Sequence, residues 1–141
     1  LSLHAPNDNL RSQTMPINKK WGVAQLLKAC KYYSDTTRRR ISFEYAMISG
    51  LNDSDAQAQE LAGKLKGILS HVNLIPVNDV TGNHYKKSSA QRLHAFWSIL
   101  EKHGITATVR RTLGSDIQAS CGQLQRRYKE EVNNIESAQS N

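Results

Sequence analysis

The sequence predicts an α/β fold, and within that class an arc of an open parallel β/α barrel. Three observations predict it. Four short runs of strand character alternate with three helical stripes over the first 111 residues. The strand runs are apolar nearly throughout, as strands are when helices cover a parallel sheet. One of them nevertheless carries a carboxylate, Glu44, at its middle. The first two observations fit a small doubly wound sheet as well as a barrel arc, and the third favours the arc. Along this run Ile41, Phe43 and Tyr45 point one way and Ser42, Glu44 and Ala46 the other. A mid-strand carboxylate is costly under a helix layer but suits a polar barrel lumen. The competing reading is a charge on an edge strand.

The elements follow in order. Leu1 to Leu3 reads as the end of a strand; with no initiator Met before it, the chain is expected to be a fragment of a longer protein. His4 to Lys20, with Pro6, Asn7, Asp8, Asn9 and Pro16, is expected to be a loop. Val23, Leu26, Leu27, Cys30 and Tyr33 form a helical stripe on which Cys30 is a small buried thiol. Arg40 to Ile48 is the second strand. Asn52, Asp53 and Ser54 are cap candidates for a helix with Ala58, Leu61, Ala62, Leu65, Ile68 and Leu69 on one face. His71 to Val77 is the third strand, and a loop from Asn78 to Lys87 contains Gly82. Ser88 and Ser89 cap a helix with the stripe Leu93, Phe96, Trp97 and Leu100, which Gly104 stops. Ile105 to Arg111 is the last strand. The barrel part is expected to span residues 1–124, with 125–141 a C-terminal extension in the form of a frayed helix or disordered tail.

Composition narrows the function classes. No apolar run approaches the roughly 18 residues of a membrane span, so no membrane partner is expected. Two cysteines, Cys30 and Cys121, are too few for a disulfide framework, which makes a reducing cytoplasm the expected compartment. The formal net charge is +7, gathered in Lys19-Lys20, Arg38-Arg39-Arg40, Lys86-Lys87, Arg110-Arg111 and Arg126-Arg127. That pattern favours an anionic partner, nucleic acid first; a solvated basic surface is an equal reading of the charge alone.

In either architecture the C-terminal ends of parallel strands build the site. The residues delivered there are Ser2 and His4, Ile48 to Asn52, Asn78, and Thr112 to Cys121. Cys121 stands among small residues on a segment flanked by Gly114 and Gly122, where a thiol can meet a ligand. The histidines are scattered and there is no phosphate loop or dinucleotide fingerprint, so no metal site is expected in this chain. Spacing alone gives a polar site with one thiol and no named reaction.

Six stretches carry a resemblance. Ser2-Leu-His-Ala-Pro-Asn-Asp8, Met15-Pro-Ile-Asn-Lys19, Phe43-Glu-Tyr45, Gly50-Leu-Asn-Asp53, Asn73-Leu-Ile-Pro-Val-Asn78 and Val109-Arg-Arg-Thr to Cys121-Gly-Gln-Leu124 stand in this order. Together they resemble the C-terminal part of the radical-SAM adenine-C2 methyltransferases that act on large-subunit ribosomal RNA and on tRNA. The resemblance implies an open parallel barrel around a [4Fe–4S] cluster and S-adenosylmethionine. It implies that Cys121 is the catalytic residue, methylated by one S-adenosylmethionine. A radical from a second would then abstract hydrogen from that methyl group, and the carbon radical would add to C2 of adenine. It further implies that Ser2, Leu3, His4 and Asn78 contact S-adenosylmethionine. Cys121 must be a thiolate to accept the methyl group, and Arg110 or Arg111 could favour that form.

The sequence also departs from the family. The CxxxCxxC cluster signature and the resolving cysteine lie upstream in the family and are absent here, so the isolated chain is expected to bind no cluster and turn over nothing. Asp79 and Thr81 replace prolines expected after Asn78. The sister enzymes that methylate C8 of the same adenine share most of these motifs. A non-catalytic RNA-binding module and a small thiol enzyme are the rivals of other classes; the latter needs a histidine partner that the sequence does not single out. Two open sheet edges would let the fragment associate with itself.

Overall fold

The computed structural model describes residues 1–78 and 85–110. Three parallel strands, β1 (Ile41–Met47), β2 (Ser70–Pro76) and β3 (Thr106–Val109), lie side by side in the order β1-β2-β3. Among the described residues spatial order follows chain order, without the reversal that marks a doubly wound sheet. This is the barrel-arc arrangement. The register pairs Glu44 with Asn73 and Tyr45 with Leu74, then Val72 with Ala107 and Asn73 with Thr108. The expected leading strand is reduced to one parallel bridge, Ser2 to Glu44. Leu3 N–H donates to the Glu44 carbonyl at 3.0 Å and Glu44 N–H to the Leu1 carbonyl at 2.7 Å.

The helices are α1 (Asp8–Thr14), α2 (Val23–Thr37), α3 (Asp55–Leu65) and α4 (Ala90–Lys102), with a 3-10 turn over Pro16–Lys19. The helical residues between His4 and Lys20 correct the expected loop. Asn7 caps α1, its side chain accepting the Leu10 N–H at 3.0 Å, and Asp8 puts a negative charge in the first turn. Ser54 caps α3 in a reciprocal pair with Gln57, and Ser89 caps α4 by accepting the Arg92 N–H. The α2 stripe is Val23, Leu27, Cys30 and Ser34; Tyr33, expected on it, is exposed. The α3 stripe ends at Leu65 because Gly67, at φ +84°, turns the chain. Ile68 still reaches the core, whereas Leu69 is exposed.

The core lies between the sheet's outer face and the helices. Phe43, Tyr45 and Met47 of β1 and Val72 and Leu74 of β2 meet Val23, Leu27 and Cys30 of α2, Leu61 and Leu65 of α3, and Phe96 and Leu100 of α4. The Tyr45 and Phe96 rings stand 5.1 Å apart, centroid to centroid. The buried Tyr45 hydroxyl donates to the Asn52 carbonyl at 2.7 Å, so its polar tip is satisfied. Among the described residues no helix is long and apolar enough to cross a membrane. The expected boundary at residue 124 and the tail beyond it lie outside the described residues.

Candidate functional site

Alternation along each strand gives the sheet a second face. Ser42 and Glu44 of β1, His71 and Asn73 of β2, and Thr106 and Thr108 of β3 share it by register. These side chains are half-buried or exposed, whereas those of the opposite face are mostly buried. The two central carboxylate and amide groups are joined: Asn73 Nδ2 donates to Glu44 Oε2 at 3.0 Å. His71 Nε2 and Thr108 Oγ1 lie 2.9 Å apart. Glu44 therefore sits on a polar inner surface, as its mid-strand position led one to expect. Ser2, bridged to Glu44 and exposed, extends that surface by one position.

At the C-terminal end of the strands the chain makes a turn that only a few groups hold. His4 has φ +61°, in the left-handed region. Its Nδ1 accepts the Ala46 N–H at 2.9 Å, which leaves the ring proton on Nε2 when the imidazole is neutral. Burial, and secondarily the Arg11 charge, lowers the His4 pKa against an opposing pull from Glu44. The histidine is thus neutral at pH 7. Asn52 is 1% exposed and donates to the carbonyls of both His4 (2.9 Å) and Ala46 (2.7 Å), while its Oδ1 accepts the Ile48 N–H at 2.8 Å.

Beneath this turn lies a polar cluster in which Arg11 and Asn18 are buried and Asp8 is exposed. Arg11, 4% exposed, donates from Nε to the Leu3 carbonyl (3.1 Å), from one terminal nitrogen to the Ser2 carbonyl (3.2 Å) and from the other to Asn18 Oδ1 (3.0 Å). Asn18 in turn donates to Asp8 Oδ1 at 3.1 Å, and the same oxygen accepts the Val23 N–H at 2.7 Å at the start of α2. These bonds hold the Asp8 carboxyl below its ordinary pKa, the backbone bond from Val23 first. The segments Ser2–Asp8 and Met15–Lys19, distinct in sequence, are one hydrogen-bonded body.

The residues implied as cofactor contacts fall as follows. Ser2 and His4 stand at the inner face and at the strand exit. Leu3 is 1% exposed and points into the core, so its side chain offers a ligand nothing; its N–H and carbonyl are engaged by Glu44 and Arg11. Asn78 is half-buried, two residues beyond the end of β2. Beside the exit of β1, Ser49 N–H donates to the Lys86 carbonyl at 2.9 Å, and Ser88 Oγ donates to Asp53 Oδ2 at 2.8 Å. This draws the segment before α4 to the same end. Arg110 follows β3, its N–H bonded to the Leu74 carbonyl at 2.8 Å. Cys121, Arg111 and the positions of the missing prolines, Asp79 and Thr81, lie outside the described residues.

Cys30 lies on the other face, among the core residues beneath α2, where burial pushes its thiol pKa up. Among the described residues no group of three His, Cys, Asp or Glu side chains could hold a metal ion. The described residues thus offer an iron–sulfur cluster no ligand set. The inner face, with a carboxylate, amides, hydroxyls and a neutral imidazole at its upper end, fits instead a polar organic ligand. Sequence reasoning singled out Ser2, His4 and Asn78; it gave Asn52 only as a strand-end and cap position and did not single out Arg11, nor Asn18 beyond its motif stretch.

No family model matches the chain. Curated proteins do. The chain is 56% identical over 128 residues to the probable dual-specificity RNA methyltransferase RlmN of Alkaliphilus oremlandii, covering 91% of this chain and 37% of that protein. It is 55% identical over 131 residues to the probable dual-specificity RNA methyltransferase RlmN of Thermoanaerobacter pseudethanolicus, covering 93% and 38%. The chain thus spans little more than a third of the length of the curated relatives it matches. Among solved structures, a radical SAM methyltransferase from Sphaerobacter thermophilus superposes with a TM-score of 0.81 at 50% identity, over 86% of this chain and 36% of that one. A domain of pyruvate-formate lyase-activating enzyme from Bacteroides vulgatus superposes with a TM-score of 0.65 at 16% identity, over 78% of this chain and 65% of that one, and bears on the fold alone. The resemblance read from the six stretches holds, and so does the α/β arc.

Proposed function

We infer from these matches that the chain belongs with the radical-SAM dual-specificity RNA methyltransferases, and we propose that it supplies the C-terminal part of such an enzyme. The substrate we assign is adenine in large-subunit ribosomal RNA and in tRNA, methylated at C2 by way of Cys121. The observation that carries this reading is the convergence of separated stretches on the inner face and at the C-terminal end of one sheet. Ser2–Asp8 meets Phe43–Tyr45 through the Leu3 and His4 N–H groups on the Glu44 carbonyl, at 3.0 and 3.3 Å. Asn73–Asn78 joins through the Asn73–Glu44 bond, and Gly50–Asp53 through Asn52. Residues that belonged to one ligand site would be brought together in this way.

S-adenosylmethionine and an iron–sulfur cluster would supply the methyl group and the radical chemistry, with the cluster's ligands upstream of this chain. The described residues have a quieter share. Ser2 presents a hydroxyl on the inner face, and His4, neutral and fixed through Nδ1, keeps its remaining proton on Nε2 as a donor. Asn78 brings an amide to the end of β2. Glu44 sets a negative charge on the surface that a sulfonium cation would approach. The basic pairs Lys19-Lys20 and Lys86-Lys87 supply charge for an RNA backbone. The domain reading, a barrel part over 1–124 followed by an extension, and a cytoplasmic location complete the proposal. So does self-association of the fragment through its open edges, without membrane attachment.

The test is peptide mass spectrometry across Cys121, on the full-length protein incubated anaerobically with S-adenosylmethionine. One added methyl group on Cys121 is expected, and nucleoside analysis of the modified RNA should then find 2-methyladenine. An unmodified thiol in a protein shown to hold its cluster would overturn the carrier role. A methyl group at C8 would reassign the enzyme to the sister class.

A further inference from the structure

A parallel ladder that opens with the Ser2–Glu44 bridge has a fixed continuation. Ala46 N–H would donate to the Leu3 carbonyl, and Ala5 N–H to the Ala46 carbonyl. Here three of these four groups are engaged elsewhere. Ala46 N–H goes to His4 Nδ1, the Ala46 carbonyl accepts from Asn52 Nδ2, and the Leu3 carbonyl accepts from Arg11 Nε. The ladder is opened after one bridge, and three side chains take its loose ends. The turn at His4, with its left-handed φ, is what this opening produces.

Arg11 is the member of the three whose side chain comes from another element. A buried guanidinium is costly unless its donors are used. Those of Arg11 bind two successive main-chain carbonyls and Asn18, and the Asp8 carboxylate, itself bonded to Asn18, supplies the favourable charge. Buried carbonyls freed from a ladder need such donors. A neutral side chain at position 11 could not reach both in this fork geometry.

We propose that Arg11 is a positioning residue for S-adenosylmethionine: by holding the Ser2 and Leu3 carbonyls it fixes the Ser2–His4 turn in the form that receives the ligand. This rests on the reading of Ser2 and His4 as ligand contacts. It assigns the α1 segment, which reaches the Ser2 and Leu3 carbonyls through Arg11, a part in affinity as well as in folding.

The experiment is equilibrium dialysis of radiolabelled S-adenosylmethionine against the full-length, cluster-loaded protein, with melting temperatures taken on the same samples. Arg11→Gln is expected to weaken binding about tenfold, the worth of a lost charge-assisted hydrogen bond. Arg11→Lys, which keeps the charge and reaches fewer acceptors, should fall between it and the native protein. Leu27→Ala, a core truncation on α2 that removes no hydrogen bond from Ser2–His4, lowers the melting temperature and should bind as the native protein does. Should Arg11→Gln not fold, a folded Arg11→Lys with weakened binding carries the same conclusion. Native affinity in a folded Arg11 variant, or a loss in Leu27→Ala that matches the Arg11 loss at equal melting temperature, would overturn the proposal. A native protein that binds no S-adenosylmethionine would overturn the ligand assignment itself, whatever the variants do.

Discussion

His4 and Ala46 are forty-two positions apart, yet the imidazole Nδ1 of the first accepts the backbone N–H of the second at 2.9 Å. A side chain there does what a main-chain carbonyl does elsewhere in a parallel ladder. The ring must be unprotonated at Nδ1 to do it, so the turn that closes the leading strand is tied to a titration.

Stability should therefore fall on mild acidification. The folded pKa of His4 lies below its ordinary value of 6.5, chiefly because it is buried. Between the two values the unfolded chain binds more protons than the folded one, which makes stability rise with pH. The contribution is fully present above 6.5 and is lost as pH falls through the depressed value. Urea denaturation at pH 7.5 and 5.5 checks this. The native protein should lose more than His4→Gln, whose side chain does not titrate; an equal loss in both would place the effect elsewhere.

Asn52 should be among the least replaceable residues at this end. Replacing it by Ala strands the Ile48 N–H and the carbonyls of His4 and Ala46 together. Each buried unpartnered group costs about 1–3 kcal/mol, so a loss of at least about 2 kcal/mol is expected. Asn52→Asp should be nearly as damaging, because a carboxylate cannot donate to either carbonyl. Chemical denaturation curves for both variants provide the measurement.

The two cysteines should separate by reactivity. Cys30 is buried in the core under α2 with its thiol pKa raised by burial, so little of it is thiolate at neutral pH. Iodoacetamide at pH 7.5 should leave Cys30 unlabelled in the native protein and label it in urea, as read by peptide mass spectrometry. Rapid native labelling of Cys30 would contradict its placement.

Much of this fold is written in local pattern. Ser54 and Ser89 stand where a cap must, three residues before the groups they accept from, and the strand runs are apolar at the right spacing. Glu44 disclosed the inner face because a charge amid apolar residues has few places to go. What stayed hidden is tertiary or too short for periodicity. The seven-residue α1 buries only Arg11 and so has no apolar stripe to detect, although Asn7 followed by Asp8 is a cap signal. Tyr33 lies one position short of Ser34, and the helical period buries the serine instead. Arg11 itself could not be placed, since its partners are main-chain carbonyls that every residue possesses.

Glu44 allows stability and ligand binding to be read apart. Its carboxylate accepts from Asn73 at 3.0 Å on a half-buried surface, and a glutamine there retains an amide oxygen for the same bond. Glu44→Gln should change stability by less than about 1 kcal/mol, since only the charged character of one hydrogen bond is lost. The charge matters more to a ligand carrying a sulfonium cation, because Glu44 is bridged directly to Ser2. S-adenosylmethionine should bind several-fold more weakly to Glu44→Gln, while S-adenosylhomocysteine, which lacks the cation, should bind almost unchanged. Titration of both ligands against native and variant full-length protein makes the comparison. Equal losses for the two ligands would mean that Glu44 shapes the site rather than meeting the cation; no loss for either would remove the inner-face carboxylate from the ligand's surroundings.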